Sequence, residues 1–79
     1  PALLEVLCLA MRQFPCHAGI QGHSCFVLHS HTYNVTSLEI IRQRMDRVAP
    51  LVISAGRNFS DCSQRAHHIL IRLKRGHRY

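Results

Sequence analysis

Two cysteines and four histidines lie within the sixteen residues 16–31, and this cluster limits the folds open to the chain more than any other feature. The six residues are Cys16, His17, His23, Cys25, His29 and His31. Cysteine thiolate and neutral histidine are the side chains that bind zinc best. If residues 25–31 are extended, His29 and His31 lie on one face of a strand, close enough to bind one metal ion. The cluster therefore predicts a zinc site.

A bound metal ion would also add stability that a chain of this size needs. With 79 residues the chain makes one small domain, for which apolar burial alone gives marginal stability. We divide this domain, 1–79, into a Cys/His-rich half, residues 1–36, and a basic helical half, residues 37–79. Zinc would then stabilise the first half. Such zinc could have a purely structural role, with all four coordination positions filled by Cys16, Cys25, His29 and His31.

The second half carries almost all of the positive charge. The net charge is +6, with nine arginines and one lysine. Residues 1–40 have one basic and two acidic side chains, whereas residues 41–79 have nine basic and two acidic ones. Such a balance predicts a surface for RNA, DNA or an acidic membrane. An equally good explanation is compositional, because translated GC-rich or recently non-coding DNA gives a similar residue mix.

The first half is predicted to combine a helix with β-structure. Apolar residues recur at helical spacing over residues 2–14, although a strand is an alternative there. Pro15 ends this helix and a loop follows. The β-branched and aromatic side chains of residues 25–28 and 32–36 predict two short strands.

The second half is predicted to be mostly helical. Thr36 and Glu39 fit a capping box that begins a helix over residues 37–49, and Pro50 ends it. Residues 51–53 are predicted to form a short buried strand, and residues 61–75 a last helix. The fold class predicted is α+β, a small single domain with a short β element and two amphipathic helices.

The last helix and the tail after it carry the basic side chains predicted to bind an anion. They are Arg65, Arg72, Lys74, Arg75 and Arg78, with His68 beside them. Arginine forms bidentate pairs with phosphate, which suits contacts with a nucleic-acid backbone. The chain has no helix-turn-helix glycine signal and no paired aromatic platform, so sequence-specific base reading is not expected. A solvated helix face is the alternative explanation of the same charges.

Residues 22–35 resemble the signature of the 6-pyruvoyl-tetrahydropterin and 6-carboxy-tetrahydropterin synthase family. In that signature a cysteine is followed, after three residues, by a His-Gly-His, an aromatic residue and a β-branched strand. Here Cys25 is followed at that spacing by His29 and His31, with Ser30 where the family has glycine.

The resemblance, which covers residues 14–35, implies a zinc enzyme. It implies that His17, His29 and His31 bind zinc and that Cys25 is the catalytic acid/base thiol. Zinc would leave one coordination position open for substrate and lower the pKa of the thiol. The family's closing strands are missing from a chain of this length, so such a protein would need partner chains to supply the remaining residues.

The cysteines and the N-terminus bear on location. Four cysteines and two sequons, at Asn34 and Asn58, suit a secreted protein. Residues 2–11 nevertheless make a poor signal peptide and are too short to cross a membrane. An intracellular location is therefore predicted, with a mitochondrial one as an alternative. Cys8 and Cys62 fall on apolar stripes and are expected in the core.

The function predicted from these features is a non-enzymatic basic module. It would bind an anionic partner, with RNA in a larger assembly favoured, and zinc could stabilise its first half. No catalytic triad, paired carboxylates or glycine-rich phosphate loop is visible, so an enzyme is the less favoured class. The alternatives are a shortened pterin-synthase-like zinc protein and a young or artificial sequence with no evolved activity.

Overall fold

The computed structural model describes residues 2–76, except for the side chains of residues 2, 75 and 76, and every regular element in it is an α-helix. The helices are α1 (Ala2–Gln13), α2 (Ala18–His31), α3 (Val35–Gln43), α4 (Met45–Asn58) and α5 (Ser60–Gly76). The α+β prediction is therefore wrong, because no strand occurs among the described residues. The domain is all-α.

The core lies between α4 and α5. These helices form an antiparallel hairpin joined through Phe59, and their facing apolar side chains recur every three or four residues. The buried side chains of the hairpin are Val48, Val52, Ala55, Cys62, Ala66, Ile69 and Leu73. The close packing is clearest at Gly56, where an added Cβ would lie 2.9 Å from the Cβ of Ala66.

Helix α2 packs against α5, and α1 packs against α2 and α4. Helix α2 buries Cys25 and Leu28, and α1 buries Leu4, Leu7, Cys8 and Met11, which follow a helical spacing. A buried glutamine fastens the two helices: the Nε2 group of Gln21 donates hydrogen bonds to the carbonyls of Met11 and Phe14, both at 3.0 Å. These carbonyls belong to the end of α1, where a helix lacks its own donors.

Residues 25–28 and 32–36 were predicted as strands, and both predictions are wrong. Residues 25–28 lie inside α2, and residues 32–36 hold the turn after it and the start of α3. The buried face of α2 has helical spacing, but Gln21, Ser24 and Thr32 occupy part of it. Because these residues are polar, the apolar residues of this segment alone do not show the 3.6-residue period of a helix.

The helix predicted over 37–49 is interrupted earlier than expected. It begins at Val35, where Asn34 and not Thr36 is the N-cap, its Oδ1 accepting a hydrogen bond from the N–H of Ser37 at 3.0 Å. The break comes at Arg44, whose φ of −113° and ψ of 25° are not helical.

Pro50 does not end a helix, contrary to the prediction, and residues 51–53 are helical. Pro50 is exposed within α4, near its N-terminal end. The missing N–H of Pro50 leaves only the carbonyl of Asp46, four residues earlier, without its helical donor. The apolar face of α4 continues through this point from Val48 to Val52, and packing against α5 maintains the helix.

None of the helices in the described part of the chain is both long enough and apolar enough to cross a membrane.

Candidate functional site

Three side-chain pairs line the contact of α5 with α2 and the turn after it: two pairs of an arginine with an aromatic ring, and one pair of stacked histidines. The guanidinium carbon of Arg65 lies 5.0 Å from the ring centre of Phe26, and that of Arg72 lies 4.1 Å from the ring centre of Tyr33. Between these pairs the rings of His29 and His68 stack with centres 5.7 Å apart. The partners in each pair are 39 positions apart, so the two segments run parallel. We call these six residues the ladder.

The C-terminal end of α2 holds Arg72 in place. The Nε and Nη2 groups of Arg72 donate hydrogen bonds to the carbonyl oxygen of Thr32, at 3.4 and 3.2 Å. Thr32 is the C-cap of α2, where unpaired carbonyls and the helix dipole favour a positive charge. The remaining guanidinium donors of Arg72 are not used in these bonds. Arg72 therefore has a structural role beside the anion-binding role predicted for it.

The ladder arginines keep their charge uncompensated. All four carboxylate side chains of the chain lie among the described residues, and none of them forms an ion pair with Arg65 or Arg72. Two of the carboxylates contact other arginines: Glu5 lies 3.2 Å from Arg44 and 3.5 Å from Arg47, and Glu39 pairs with Arg42. The charge segregation seen in the sequence therefore persists at this surface.

The predicted anion-binding set does not form a single surface. Arg65 and Arg72 share the flank of α5 that faces α2. Lys74 follows Arg72 by two residues, about 200° round the helix, and it lies on the α4 side of α5 near Met45 and Ala49. The side chain of Arg75 and the whole of Arg78 lie outside the described residues.

His29 sits in the middle of the ladder with its charged form disfavoured. Burial lowers the pKa of His29, and the nearby His68, Arg65 and Arg72 lower it further. Its Nε2 atom is buried and has no hydrogen-bond partner among the described residues. The edge of the His29 ring also contacts Tyr33, with ring centres 5.4 Å apart. These surroundings therefore favour the neutral form of His29.

We expect the free energy of unfolding to fall as the pH is lowered below 6.5. His29 in the unfolded chain takes up a proton near its ordinary pKa of 6.5, whereas in the folded chain it does so only at lower pH. The unfolded state then binds more protons, so acid favours unfolding, and above 6.5 the contribution is constant. Urea denaturation between about pH 5 and 8 measures this dependence.

The matched variant is His29→Gln, which removes the titrating group and keeps a polar side chain. It should show a smaller loss of stability on acidification than the original chain. Equal pH dependence in the two proteins would contradict the assignment to His29.

The structure does not bring the predicted zinc ligands together. His17 lies at the start of α2, where its Nδ1 accepts a hydrogen bond from the N–H of Ile20 at 3.1 Å. His29 lies near the other end of the helix, about 18 Å away along the axis. His31 is two residues beyond His29, so the two side chains diverge by about 200° and do not share a face as a strand would allow. Among the described residues, no three His, Cys, Asp or Glu side chains lie close enough together to hold one metal ion. Zinc binding stays a prediction.

Cys25, the predicted catalytic thiol, is fully buried, with an exposed fraction of 0%. Burial and the neighbouring thiol of Cys62 raise the pKa of Cys25 to about 12. The Cys25 thiol is therefore protonated at neutral pH and faces the core. Cys8 is also buried, and burial, together with the charge of Glu5, raises its pKa. Cys8 and Cys62 are core residues, as predicted.

The four free cysteines should differ sharply in reactivity. Cys16 is exposed, whereas Cys8, Cys25 and Cys62 are buried. Reagents attack the exposed thiolate, so we expect one thiol to react rapidly in the folded protein and all four after unfolding. A disulfide reagent monitored by absorbance gives this count. Cys16→Ser should abolish the rapid phase. A second rapidly reacting thiol in the folded chain would contradict the burial of Cys8, Cys25 and Cys62.

The sequence prediction missed two ladder residues, Phe26 and Tyr33. The strand pattern of residues 25–28 and 32–36 includes both, although their positions carry a helical signal. Residues 26, 29 and 33 repeat the three-and-four spacing of residues 65, 68 and 72. Equal spacing on two helices is what a parallel contact requires, but only the packing of α2 on α5 fixes the register.

A separate apolar cavity of about 130 Å³ opens between α1, α2 and α3. Its walls include Leu3, Leu7 and Ile40, and its polar side chains are His31 and Ser37. His31 thus faces this cavity and is separated from the other predicted zinc ligands.

Comparison of the chain with protein-family models, with curated proteins and with solved structures found no match. The resemblance of residues 22–35 to the pterin synthase signature therefore stays a prediction.

Proposed function

We propose that this chain is a non-enzymatic basic module that binds an anionic polymer, with RNA in a larger assembly as the favoured partner. The net charge of +6 attracts a polyanion over distances longer than any single contact. Phosphate contacts would orient the polymer without reading its sequence.

The observation that carries the proposal is the pair of uncompensated arginines in the ladder. Arg65 and Arg72 lie seven residues apart on one flank of α5, about 10 Å along its axis. Each guanidinium lies over an aromatic ring, which limits its freedom before a ligand arrives. Because little conformational entropy remains to be lost, ordered arginines of this kind suit phosphate binding.

The proposal includes a protein partner and an intracellular location. Helix α1 exposes a row of apolar side chains, Leu3, Val6 and Leu9, which supports contact with another protein. The free thiols are compatible with a reducing compartment.

The test is binding of labelled RNA and of heparin over a range of salt concentrations. We expect the logarithm of the association constant to fall linearly with the logarithm of salt concentration, because phosphate contacts release counterions. Arg65→Gln should weaken binding and reduce that slope by about 1, the value for one lost contact.

The matched control is Arg12→Gln, which removes the same charge from the exposed surface of α1. It should leave the slope almost unchanged. If both variants weaken binding equally, the ladder is not the site. If neither RNA nor heparin binds at low salt, the proposal fails and the alternative of a chain without evolved activity is favoured.

A further inference from the structure

We infer that the nucleic acid bound at the ladder is an unpaired strand whose bases stack on Phe26 and Tyr33. This inference rests on the proposed function and specifies its ligand. Base stacking would then act together with the attraction between the ladder arginines and the phosphates. Phe26 and Tyr33 would take a direct part in binding.

The first support is the exposure of the two rings. Phe26 is 49% exposed and Tyr33 is 65% exposed, although each is in contact with an arginine of α5. An arginine over one side of a ring leaves the rest of its surface open to a second flat group. The ring of His23 lies near that of Phe26, with centres 6.4 Å apart, and adds an aromatic group beside the ladder.

The second support is the alternation of rings and charges. Phe26 lies in α2 and Tyr33 lies seven residues later, in the turn just after that helix. Arg65 and Arg72 have the same seven-residue interval along α5, about 10 Å. An unpaired strand carries flat bases on one side and phosphates on the other. Grooves that bind such strands combine positive charge with aromatic rings on which bases stack.

A duplex does not fit this arrangement as well. Its bases are stacked on one another, so ring faces cannot reach them unless the strands separate. Only an unpaired strand offers both its base faces and its phosphates to the ladder. Charge complementarity with Arg65 and Arg72 disfavours a neutral or basic occupant of the same surface.

The test compares three ligands of equal length against the unmodified protein. They are a labelled single-stranded RNA, the same strand with abasic sites in place of its bases, and the RNA annealed to its complement. Stacking of one or two bases predicts that the single strand binds at least about tenfold more tightly than the abasic strand. It should also bind more tightly than the duplex.

Variants then locate the stacking surface. Phe26→Leu and Tyr33→Leu remove a ring and keep the charge, so each should weaken single-strand binding by about fivefold or more. Heparin binding should change by less than about twofold, because charge contacts remain. Tyr33→Phe should retain tight binding. Phe14→Leu is the matched control, because Phe14 is similarly exposed but lies outside the ladder.

The outcomes separate the inference from the proposed function. Equal affinity for the intact and abasic strands overturns stacking, while salt-dependent binding of both still supports the polyanion proposal. Tighter binding of the duplex than of the single strand has the same meaning. Failure of all three ligands and of heparin overturns the proposed function itself. The ligand comparison needs no variant, so it decides the question even if a leucine variant fails to fold.

Discussion

Replacing Gln21 by methionine is expected to lower the free energy of unfolding by about 1–3 kcal/mol. Methionine keeps the length and helix propensity of glutamine but cannot donate the hydrogen bonds to the carbonyls of Met11 and Phe14. Gln21 is only 3% exposed, so water cannot simply replace its amide. The end of α1 is thereby left with buried acceptors that lack donors.

For a domain of this size such a loss lowers the melting temperature by about 4–8 °C per kcal/mol. Thermal and urea denaturation, both followed by circular dichroism, measure the effect. The control is Gln64→Met on the exposed surface of α5, expected to change stability by less than about 0.5 kcal/mol. Similar effects at the two positions would show that Gln21 does not fasten α1 to α2.

The same substitution, glycine to alanine, is expected to have opposite effects in α4 and α2. A Cβ at Gly56 would lie 2.9 Å from the Cβ of Ala66, so α4 and α5 must move apart. Overpacking of this kind costs about 1–3 kcal/mol, which exceeds the gain of about 1 kcal/mol in helix propensity. At Gly22 nothing lies within 4 Å of an added Cβ, so the gain in helix propensity remains.

We therefore expect Gly56→Ala to destabilise the protein by about 1 kcal/mol and Gly22→Ala to stabilise it by up to about 1 kcal/mol. Urea denaturation of the two variants gives the difference. A third substitution, Ala66→Gly, should cost less in the Gly56→Ala protein than in the original chain, because it restores the space. Stabilisation by Gly56→Ala would mean that the two helices are less closely packed than described.

The sequence predicts the first and last helices of the chain, α1 and α5, but not α2. The helices predicted over residues 2–14 and 61–75 correspond to α1 and α5, because their apolar residues follow the helical period without interruption. The buried positions Gln21 and Ser24 of α2, and Thr32 at its C-cap, are polar. The hydrogen bonds of Gln21 to the end of α1 exist only once the two helices have packed. Local β propensity over residues 25–28 was overridden by that packing.

The candidate site divides in the same way. The spacing of Arg65 and Arg72 along α5 could be predicted, since it depends on one helix alone. Their partners Phe26 and Tyr33 could not, because a cross-helix pairing depends on which helices meet and in what register. The proposed zinc cluster relied on an extended backbone, and the helical geometry of α2 separates its members.

The two contacts of α5 differ in how far their partners lie apart along the chain, and this has a consequence for folding. The α4–α5 hairpin joins neighbouring segments, whereas the ladder joins residues 39 positions apart. Closing the longer loop costs more entropy, and contacts of this kind form late. A partly folded chain would therefore present the arginines of α5 before the rings of α2 reach them. We expect the ability to bind a ligand at the ladder to return later in refolding than the α4–α5 hairpin forms.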